Sequence, residues 1–581
     1  MASDPSVLSQ LLVQRKQVAL ARSQLFGFIG ASYTSQSISA DGERLVNMYL
    51  EPVESGHGKN SVYLTGTPGL RPPFVTLQAP TRGGILAGDF VYAVGGDTVY
   101  QIAQDGTTRV IGTVINDGGP VSFAFNGSQV LVASGGQANL IRGDWTYQQN
   151  VVAASMVEFM DGYFIALQPD SRRFQLSGLF DGETWSGLQF AQWEQNDNIE
   201  AIVVAFQELW LLGQKHIEIW YDAGGQFFPF ARVSGGVLDQ GIVSGFTAKR
   251  LDNTIFWLGR DDRGQGMAWR ANGWTPQRIS NHAVESAWNT YPRIDDAEAW
   301  TYQENGHTYY VLYFPSAKPR DKYTGYNPPT TEYAGATWVY DVATGMWHER
   351  AFWNPTVSEY EAHKARWYVA AWGKHYVGDR TTGDVYEMRL DCYTDNGWPI
   401  RRLRSAPHIS TEMKWMRFKR LQIDAQMGVG IQDTATVTGA TQSAPVVLTV
   451  DTTDGFAINQ GVTVSGSAVP DYNGAFTVTA IGAGTITLDN QNVPSAAFTG
   501  TAIVQRPGGA PVMTMRMSDD GGFTWGNQHD VGMGSLGQYR YRAIYNGLGV
   551  SRDRCYEITS SEPVQQSWID AYSDAAPGRG S

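Results

Sequence analysis

Val91-Tyr-Ala-Val-Gly-Gly-Asp-Thr-Val-Tyr-Gln-Ile102 sets two runs of β-branched and aromatic residues on either side of Gly95-Gly96. Such runs suit half-buried strands, and a Gly-Gly step supplies the positive φ of a tight hairpin turn. Asp105-Gly106 marks a second turn and Arg109-Val-Ile111 a further strand, so a three-stranded meander is expected here. Comparable units recur downstream: Leu209 to Tyr221 around Gly213, Thr254 to Arg270 around Asp261 to Gly266, and Trp300 to Phe314 around Asn305-Gly306. Two more follow, Thr337 to Glu349 around Thr344-Gly345 and Tyr368 to Met388 around Thr382-Gly383. The turns repeat roughly every 40 to 50 residues, the length of a four-stranded propeller blade. Between Thr81 and Asp424 there is room for about six or seven blades of that length.

Separate β sandwiches would give similar short strands. The regular period favours a propeller, as does the aromatic in each unit: Trp210, Trp257, Trp300, Trp338 and Trp367. These would pack blade against blade, and radial repetition protects sheet edges. Composition agrees, with 65 Gly, 19 Trp, 28 Tyr and 24 Phe in 581 residues and only 17% charged residues. The fold class expected is mainly β, a β-propeller-like main domain with a small inserted β domain and an N-terminal helix.

That helix is expected over residues 4 to 27, with Asp4 as N-cap, Pro5 in the first turn and Gly27 as the stop. Leu8, Leu11, Leu12, Val18 and Leu25 form its apolar stripe, which either packs on its own domain or docks on a neighbour. Residues 1–30 are therefore read as a helical arm, 31–80 as an irregular or β segment, and 81–427 as the propeller. Residues 428–508 stand apart. From Gly428 to Gln505 there is no Lys, Arg, Glu or Trp, and alternation appears in Val446-Val-Leu-Thr-Val450, Val462-Thr-Val464, Phe476-Thr-Val-Thr479 and Thr485-Ile-Thr-Leu488. This predicts an inserted β-sandwich-like domain at a surface. Arg420 to Asp424 and Val512 to Arg516 read as strands of one sheet that the chain leaves and re-enters, with 509–581 completing the main domain.

The residue types give little chemistry. Cys392 and Cys555 are far apart, without metal-ligand spacing to the nine His residues, so they are read as reduced thiols. No Gly-x-x-x-x-Gly-Lys loop is present, and neither metal nor cofactor is expected. Leu11-Leu-Val13 is too short and too charged in its surroundings for a signal peptide, and no run is long enough for a bilayer span, so no membrane insertion is expected. The pairs Asp261-Asp262, Asp295-Asp296 and Asp519-Asp520 sit in turn contexts that favour Asp for local backbone bonding.

Ser518-Asp-Asp-Gly-Gly-Phe-Thr-Trp525 fits an Asp-box pattern, in which Ser518 and Asp520 hold the turn, Gly522 permits its φ and Trp525 buries against the next strand. Sialidases carry several such boxes on propellers. A site of that kind needs an arginine cluster and a Tyr activated by a carboxylate, which one box does not supply. The most basic segment holds Arg401, Arg402, Arg404, Lys414, Arg417, Lys419 and Arg420, interleaved with Trp415 and Phe418. It reads as a solvated strand face, or as a surface for ion pairs with other subunits, with DNA contact third. Arg540, Arg542, Arg552 and Arg554 form a second cluster. A net charge of -13 argues against a protein built to grip nucleic acid; an ordinary acidic soluble protein is the commoner reading of it, though the wall of a passage along which DNA slides would also carry such a charge.

One further set of motifs is specific when taken together. It comprises Ser177-Gly-Leu-Phe-Asp-Gly-Glu-Thr-Trp185, Phe190-Ala-Gln-Trp-Glu194, Leu209-Trp-Leu-Leu-Gly213, Glu218-Ile-Trp220, Pro229-Phe-Ala-Arg232, Trp257-Leu-Gly259 and Pro276-Gln-Arg-Ile-Ser280. With Arg44 to Pro52, Thr65 to Leu70, Ser518 to Trp525, Gly537-Gln-Tyr539 and Leu548-Gly549, they resemble the packaged-DNA stabilisation proteins of short-tailed bacteriophages, the tail hub or nozzle family. The N-terminal extension and the 428–508 block depart from that pattern. The resemblance implies a non-enzymatic virion tail protein, assembled in the bacterial cytoplasm, that closes the portal exit, retains packaged DNA and forms part of the ejection channel. It further implies a homo-hexamer, contacts with a portal or adaptor ring and with tail fibres or a tail needle, and transient passage of duplex DNA. Two alternatives stand beside it: a propeller glycosidase or glycan-binding tailspike, and a fibre-attachment or receptor-contacting tail protein.

Overall fold

In the computed structural model, which describes residues 24–55, 57–225, 228–261, 263–317, 335–430, 433–506 and 511–577, the hairpin of residues 91–102 lies inside a four-stranded blade. Its inner strand is Thr81–Ala87, followed outward by Phe90–Gly95, Thr98–Ile102 and Thr108–Thr113. Four-stranded sheets of the same order follow at residues 122–153, 156–192, 199–238 and 249–278. A sixth spans 298–349. The seventh takes Ala365–Ala371, Lys374–Asp379 and Asp384–Arg389, and borrows its outer strand, Gly69–Thr76, from before the first blade. Inner strands of successive blades touch, and Ala365–Ala371 closes the ring against Thr81–Ala87. Among the described residues the propeller thus has seven blades, one a composite of two distant parts of the chain.

The expected units are partly regrouped. Trp300 to Phe314 and Thr337 to Glu349 lie in the sixth blade together, because Tyr309–Asp341 register pairs their strands directly. The blades at 122–153 and 156–192 fill the interval in which the sequence reading placed no unit. The propeller begins before the boundary expected at residue 81, since Gly69–Thr76 already belongs to its seventh blade. Trp210 and Trp257 are fully buried between neighbouring blades. Trp367 joins blade seven to blade one, where its Nε1 donates to Thr81 Oγ1 at 2.9 Å. A Cβ on Gly84 would come within 2.6 Å of that indole, so the inner strand needs glycine there for close approach.

The sixth blade is the edge through which the propeller joins a second body. Its outer strand Met346–Glu349 meets Gly42–Val46, and the sheet continues through Arg402–Ser405, Asp553–Ser560, Val512–Ser518 and His529–Gly532. A second sheet, built from Met48–Pro52, Val62–Gly66, Ser567–Pro577, Met416–Ala425 and Ala543–Asn546, packs on it. Leu45, Met513, Met515 and Ile558 of the first face Met48, Phe418, Leu421 and Trp568 of the second, all essentially buried. This corrects the expected single sheet. Met416–Ala425 lies in one sheet and Val512–Ser518 in the other, and the alternation of buried residues in both strands suits either side of one sandwich.

Between those strands, Thr434–Gln505 forms a closed six-stranded barrel rather than the expected sandwich. Ala502–Gln505 pairs with both Thr434–Ala440 and Gly461–Ser465, which closes the sheet and leaves no edge. Val437, Leu448, Val464, Val478, Ile486 and Val504 fill it. The barrel docks on the hairpin Thr394–Pro399: Ile458 N donates to Gly397 O at 2.7 Å, and Trp398 packs against the barrel core.

The helix expected over residues 4–27 lies outside the described residues up to residue 23. Gln24–Leu25 is a short strand paired with Tyr572 and Ser573, so the expected helix does not extend through Leu25. Among the described residues the α-helix is His282–Trp288, capped by Asn281 Oδ1 accepting from Val284 N at 3.0 Å.

Candidate functional site

Propellers place side chains from every inner strand around one axis, so that axis is the first place to look for chemistry. A cavity of about 380 Å3 lies there, lined by Arg82, Lys249, Glu298, Trp300, Arg366 and Tyr368, among others. Its two arginines are both tied to groups of the protein. Arg82 donates to the carbonyls of Gly119 (2.6 Å), Gly96 (3.1 Å) and Ile115 (3.0 Å), to Ser134 Oγ (2.8 Å) and to Asp117. All five donors of its fork are spent within the protein. Arg366 forms a bidentate pair with Glu298 and also donates to Gly118 O at 3.0 Å. Burial holds the Tyr368 phenol up at about 12, with Glu304 adding to the shift. Its hydroxyl bonds His375 Nδ1 at 2.8 Å. Burial likewise pushes the Glu158 carboxyl up to about 7, against the pull of Lys249 and Arg250. These groups brace blades against each other. An arginine triad with free donors and an ionisable tyrosine, as carboxylate-sugar hydrolysis needs, is not what they form.

The basic segment divides in two. Arg402 and Arg404 are fully buried, which corrects their reading as contact residues: both faces of Arg402–Ser405 are covered, so neither side chain reaches a partner. Arg404 donates from Nε to Phe28 O at 2.6 Å and from Nη1 to Ala31 O at 3.0 Å, and pairs with Glu43. Arg402 reaches Glu562 O at 3.3 Å, while its Nε and Nη2 have no hydrogen-bond partner among the described residues. Burial lowers its pKa to about 10. Arg401 stacks on Trp353, 4.1 Å from the ring centroid. Lys414, Arg417 and Lys419 are exposed, Lys414 pairing with Glu412, and the half-buried Arg420 meets Asp574 at 3.5 Å.

Arg554 of the second cluster is buried against Asp519, and Arg552 lies 4.7 Å from the Trp415 ring centroid. Arg540 and Arg542 are exposed beside Leu536, Tyr539 and Tyr541 on one loop. Met416–Ala425 pairs with both Ala543–Asn546 and Val550–Ser551, so the exposed basic and aromatic residues of 414–420 and 540–552 are carried by one sheet.

The Ser518 turn is a closed hydrogen-bond unit. Ser518 Oγ donates to Asp520 Oδ1 at 2.7 Å and accepts from Gly522 N at 2.8 Å. Asp520 accepts from Thr524 N at 2.8 Å and from Thr524 Oγ1 at 2.6 Å. Gly522 has φ +92°, and Trp525 is only half-buried, its ring centroid 5.6 Å from the Arg516 guanidinium carbon, which corrects its expected burial against the next strand. Asp295 pairs with Arg293 at 2.8 Å, Asp261 caps its own loop through Arg263 N and Gln265 N, and Asp262 lies outside the described residues.

Beside this turn the fold assembles a group hidden in the linear sequence, His408, Asp553 and Cys555. Burial, with Asp553 next, pushes the Cys555 thiol up to about 12, the opposite of what a catalytic cysteine requires. His408 Nε2 is bound to Ile38 O at 2.9 Å and has no free face for a nucleophile.

The family model described as Bacteriophage P22 Gp10, beta-propeller, of the phage-stabilisation type, matches residues 29–319, half of the chain. The chain belongs to this family. It is a phage structural protein with a β-propeller. The match covers the first sheet strands and blades one to six in part, while the motifs at 518–549 lie beyond it. No curated protein matches the sequence. Solved structures similar to it include a virginiamycin B lyase from Staphylococcus aureus, 6% identical over 55% of this chain and 98% of that one, with a TM-score of 0.36. The N-terminal domain of Nup159 is 10% identical over 59% and 98%, with a TM-score of 0.34. PorZ of Porphyromonas gingivalis, a component of the type-IX secretion system, is 9% identical over 78% and 67%, with a TM-score of 0.30. Likenesses of that size carry no argument about this chain.

Proposed function

We propose that copies of this Gp10-family protein form a ring, a hexamer by analogy, as the hub or nozzle of a short-tailed phage tail. In this reading the ring docks under the portal or adaptor, holds the packaged genome in place, and carries fibres or a needle. The observation that carries it is the family match over residues 29–319. The axis of the propeller supports a specific form of it. The cavity there is about 380 Å3, and the Arg366–Glu298 pair and the buried Arg82 bound it. A DNA duplex, whose major groove alone is ~12 Å wide, does not fit. The duplex therefore runs between copies, and each propeller serves as a rigid wall segment.

The exposed face bearing Arg417, Lys419, Arg540 and Arg542 is the contact surface favoured for a neighbouring copy or the adaptor, since it is basic in a chain of net charge -13. The committed arginines and the raised Tyr368 phenol favour architecture over glycan hydrolysis. Phage assembled without this protein tests the reading: heads should package DNA and then lose it, and heads that stay full would overturn it.

A further inference from the structure

Ile409–Ser410 pairs with the start of Asp553–Ser560, setting Ser410 opposite Asp553, and this register carries His408 to the side chains of Asp553 and Cys555. His408 Nδ1 lies 2.9 Å from both Oδ1 and Oδ2 of Asp553, and its Nε2 lies 2.9 Å from Ile38 O. A carbonyl only accepts, so Nε2 carries a proton and the Nδ1 lone pair is aimed at a carboxylate. Two acceptors face to face need a cation between them. A proton alone would serve, as an imidazolium and carboxylate pair, but the Cys555 sulfur beside it offers a third donor that a proton does not use. Its Sγ and the ligand atoms of His408 and Asp553 all lie within 4.8 Å of one another.

One sulfur, one imidazole nitrogen and one carboxylate form a borderline-soft donor set of the kind zinc takes. The Ile38 carbonyl supplies the outer hydrogen bond that fixes the tautomer of a ligating histidine. The Asp-box turn lies over the group at Gly521, φ +73°, where a Cβ would come within 3.2 Å of His408 Cε1 and 3.3 Å of Asp553 Oδ2. A cavity of about 10 Å3, lined by Cys555, Gly521 and Gly522, adjoins it and has room for about one water. Asp41 and Asp520 add negative potential at the thiol.

We propose that His408 Nδ1, the Asp553 carboxylate and the Cys555 thiolate bind a zinc-class divalent ion, with one water as fourth ligand. On binding, the thiol S–H bond and the Nδ1–H bond that faces Asp553 break, both protons pass to solvent, and metal–sulfur, metal–nitrogen and metal–oxygen bonds form, with no change of oxidation state. The ion fastens the segment at Ile38, the 518–525 turn and the Asp553–Ser560 strand into one unit.

The test uses the full-length protein, stripped with a chelator and titrated first with Co2+ and then with Zn2+. One equivalent of Co2+ should produce a thiolate-to-cobalt absorption band that Zn2+ abolishes, and Zn2+ should raise Tm. Cys555→Ser should remove the band, Cys392→Ser should keep it, and His408→Gln should weaken binding at least about tenfold. A wild-type protein that shows no band would reduce the group to a proton-bridged pair and overturn the proposal. A band that survives in Cys555→Ser would overturn it equally.

Discussion

Arg366 on the inner strand of blade seven grips Glu298 on the inner strand of blade six, its Nε and Nη2 lying 2.7 and 2.6 Å from the two carboxylate oxygens. Both side chains are 8% exposed, so the pair is shielded from solvent and salt. Glu298→Ala strands a buried guanidinium and should cost roughly 3–5 kcal/mol, whereas a double replacement by Met and Leu should cost much less. Urea unfolding of the three proteins measures this. Equal losses in the single and double variants would show that the pair acts through packing alone.

His307 gives the protein an alkaline weakness. Burial disfavours its charge, yet hydrogen bonds to Asp341 (2.9 Å) and Glu51 (3.0 Å) outweigh that and raise its pKa to about 9. The folded state binds this proton more tightly than the unfolded one, whose pKa is near 6.5. The contribution is therefore complete below about pH 6.5 and disappears as pH climbs through about 9. Tm should fall across that window, and His307→Gln should flatten the fall. A slope unchanged by the substitution would assign it to other groups.

The two buried arginines of Arg402–Ser405 should respond oppositely. Arg404→Met deprives Phe28 O, Ala31 O and Glu43 of their donor and should destabilise by about 2–4 kcal/mol. Arg402→Met removes a buried charge with two unpaired nitrogens and should be neutral or stabilising. Thermal denaturation separates them, and a large loss for Arg402→Met would point to a partner for that guanidinium beyond the described residues.

Excising the barrel should leave the rest folded. Gly428 N donates to Met533 O at 3.1 Å and Met533 N to Pro511 O at 2.6 Å, so both entry and exit of the insert meet one residue. A short Gly-Ser linker in place of residues 429–510 should keep the secondary-structure spectrum, with a Tm lower by only a few degrees because Trp398 loses its cover. Insoluble product would mean that the barrel is needed for the main body to form.

The blades were legible wherever a hairpin carries both alternation and a Gly turn, as at 91–102 and 209–221, because period-two burial is written into the residues themselves. Blade membership was less so. Trp300 to Phe314 and Thr337 to Glu349 look like separate units only because the connection between them is long. The composite seventh blade pairs Val75 with Val385, and no local pattern announces a partner that distant. Arg402 and Arg404 misled for a physical reason: an Arg-rich stretch is ordinarily solvated, and only the covering of both strand faces by two sheets buries these. His408 and Asp553 are 145 positions apart, so the group around Cys555 exists only after Ile409–Ser410 finds its strand.

Because Gly69–Thr76 must wait for Asp384–Arg389, the seventh blade cannot be completed until two thirds of the chain has been made. At ~5–20 residues per second the ribosome takes roughly 15–60 s to travel from residue 76 to residue 384. Throughout that interval the early strand has an open hydrogen-bonding edge, and a polypeptide terminated before residue 384 never acquires a sealed rim. Topology thereby makes the first half of the propeller wait for the second, and only synthesis through Arg389 relieves that dependence.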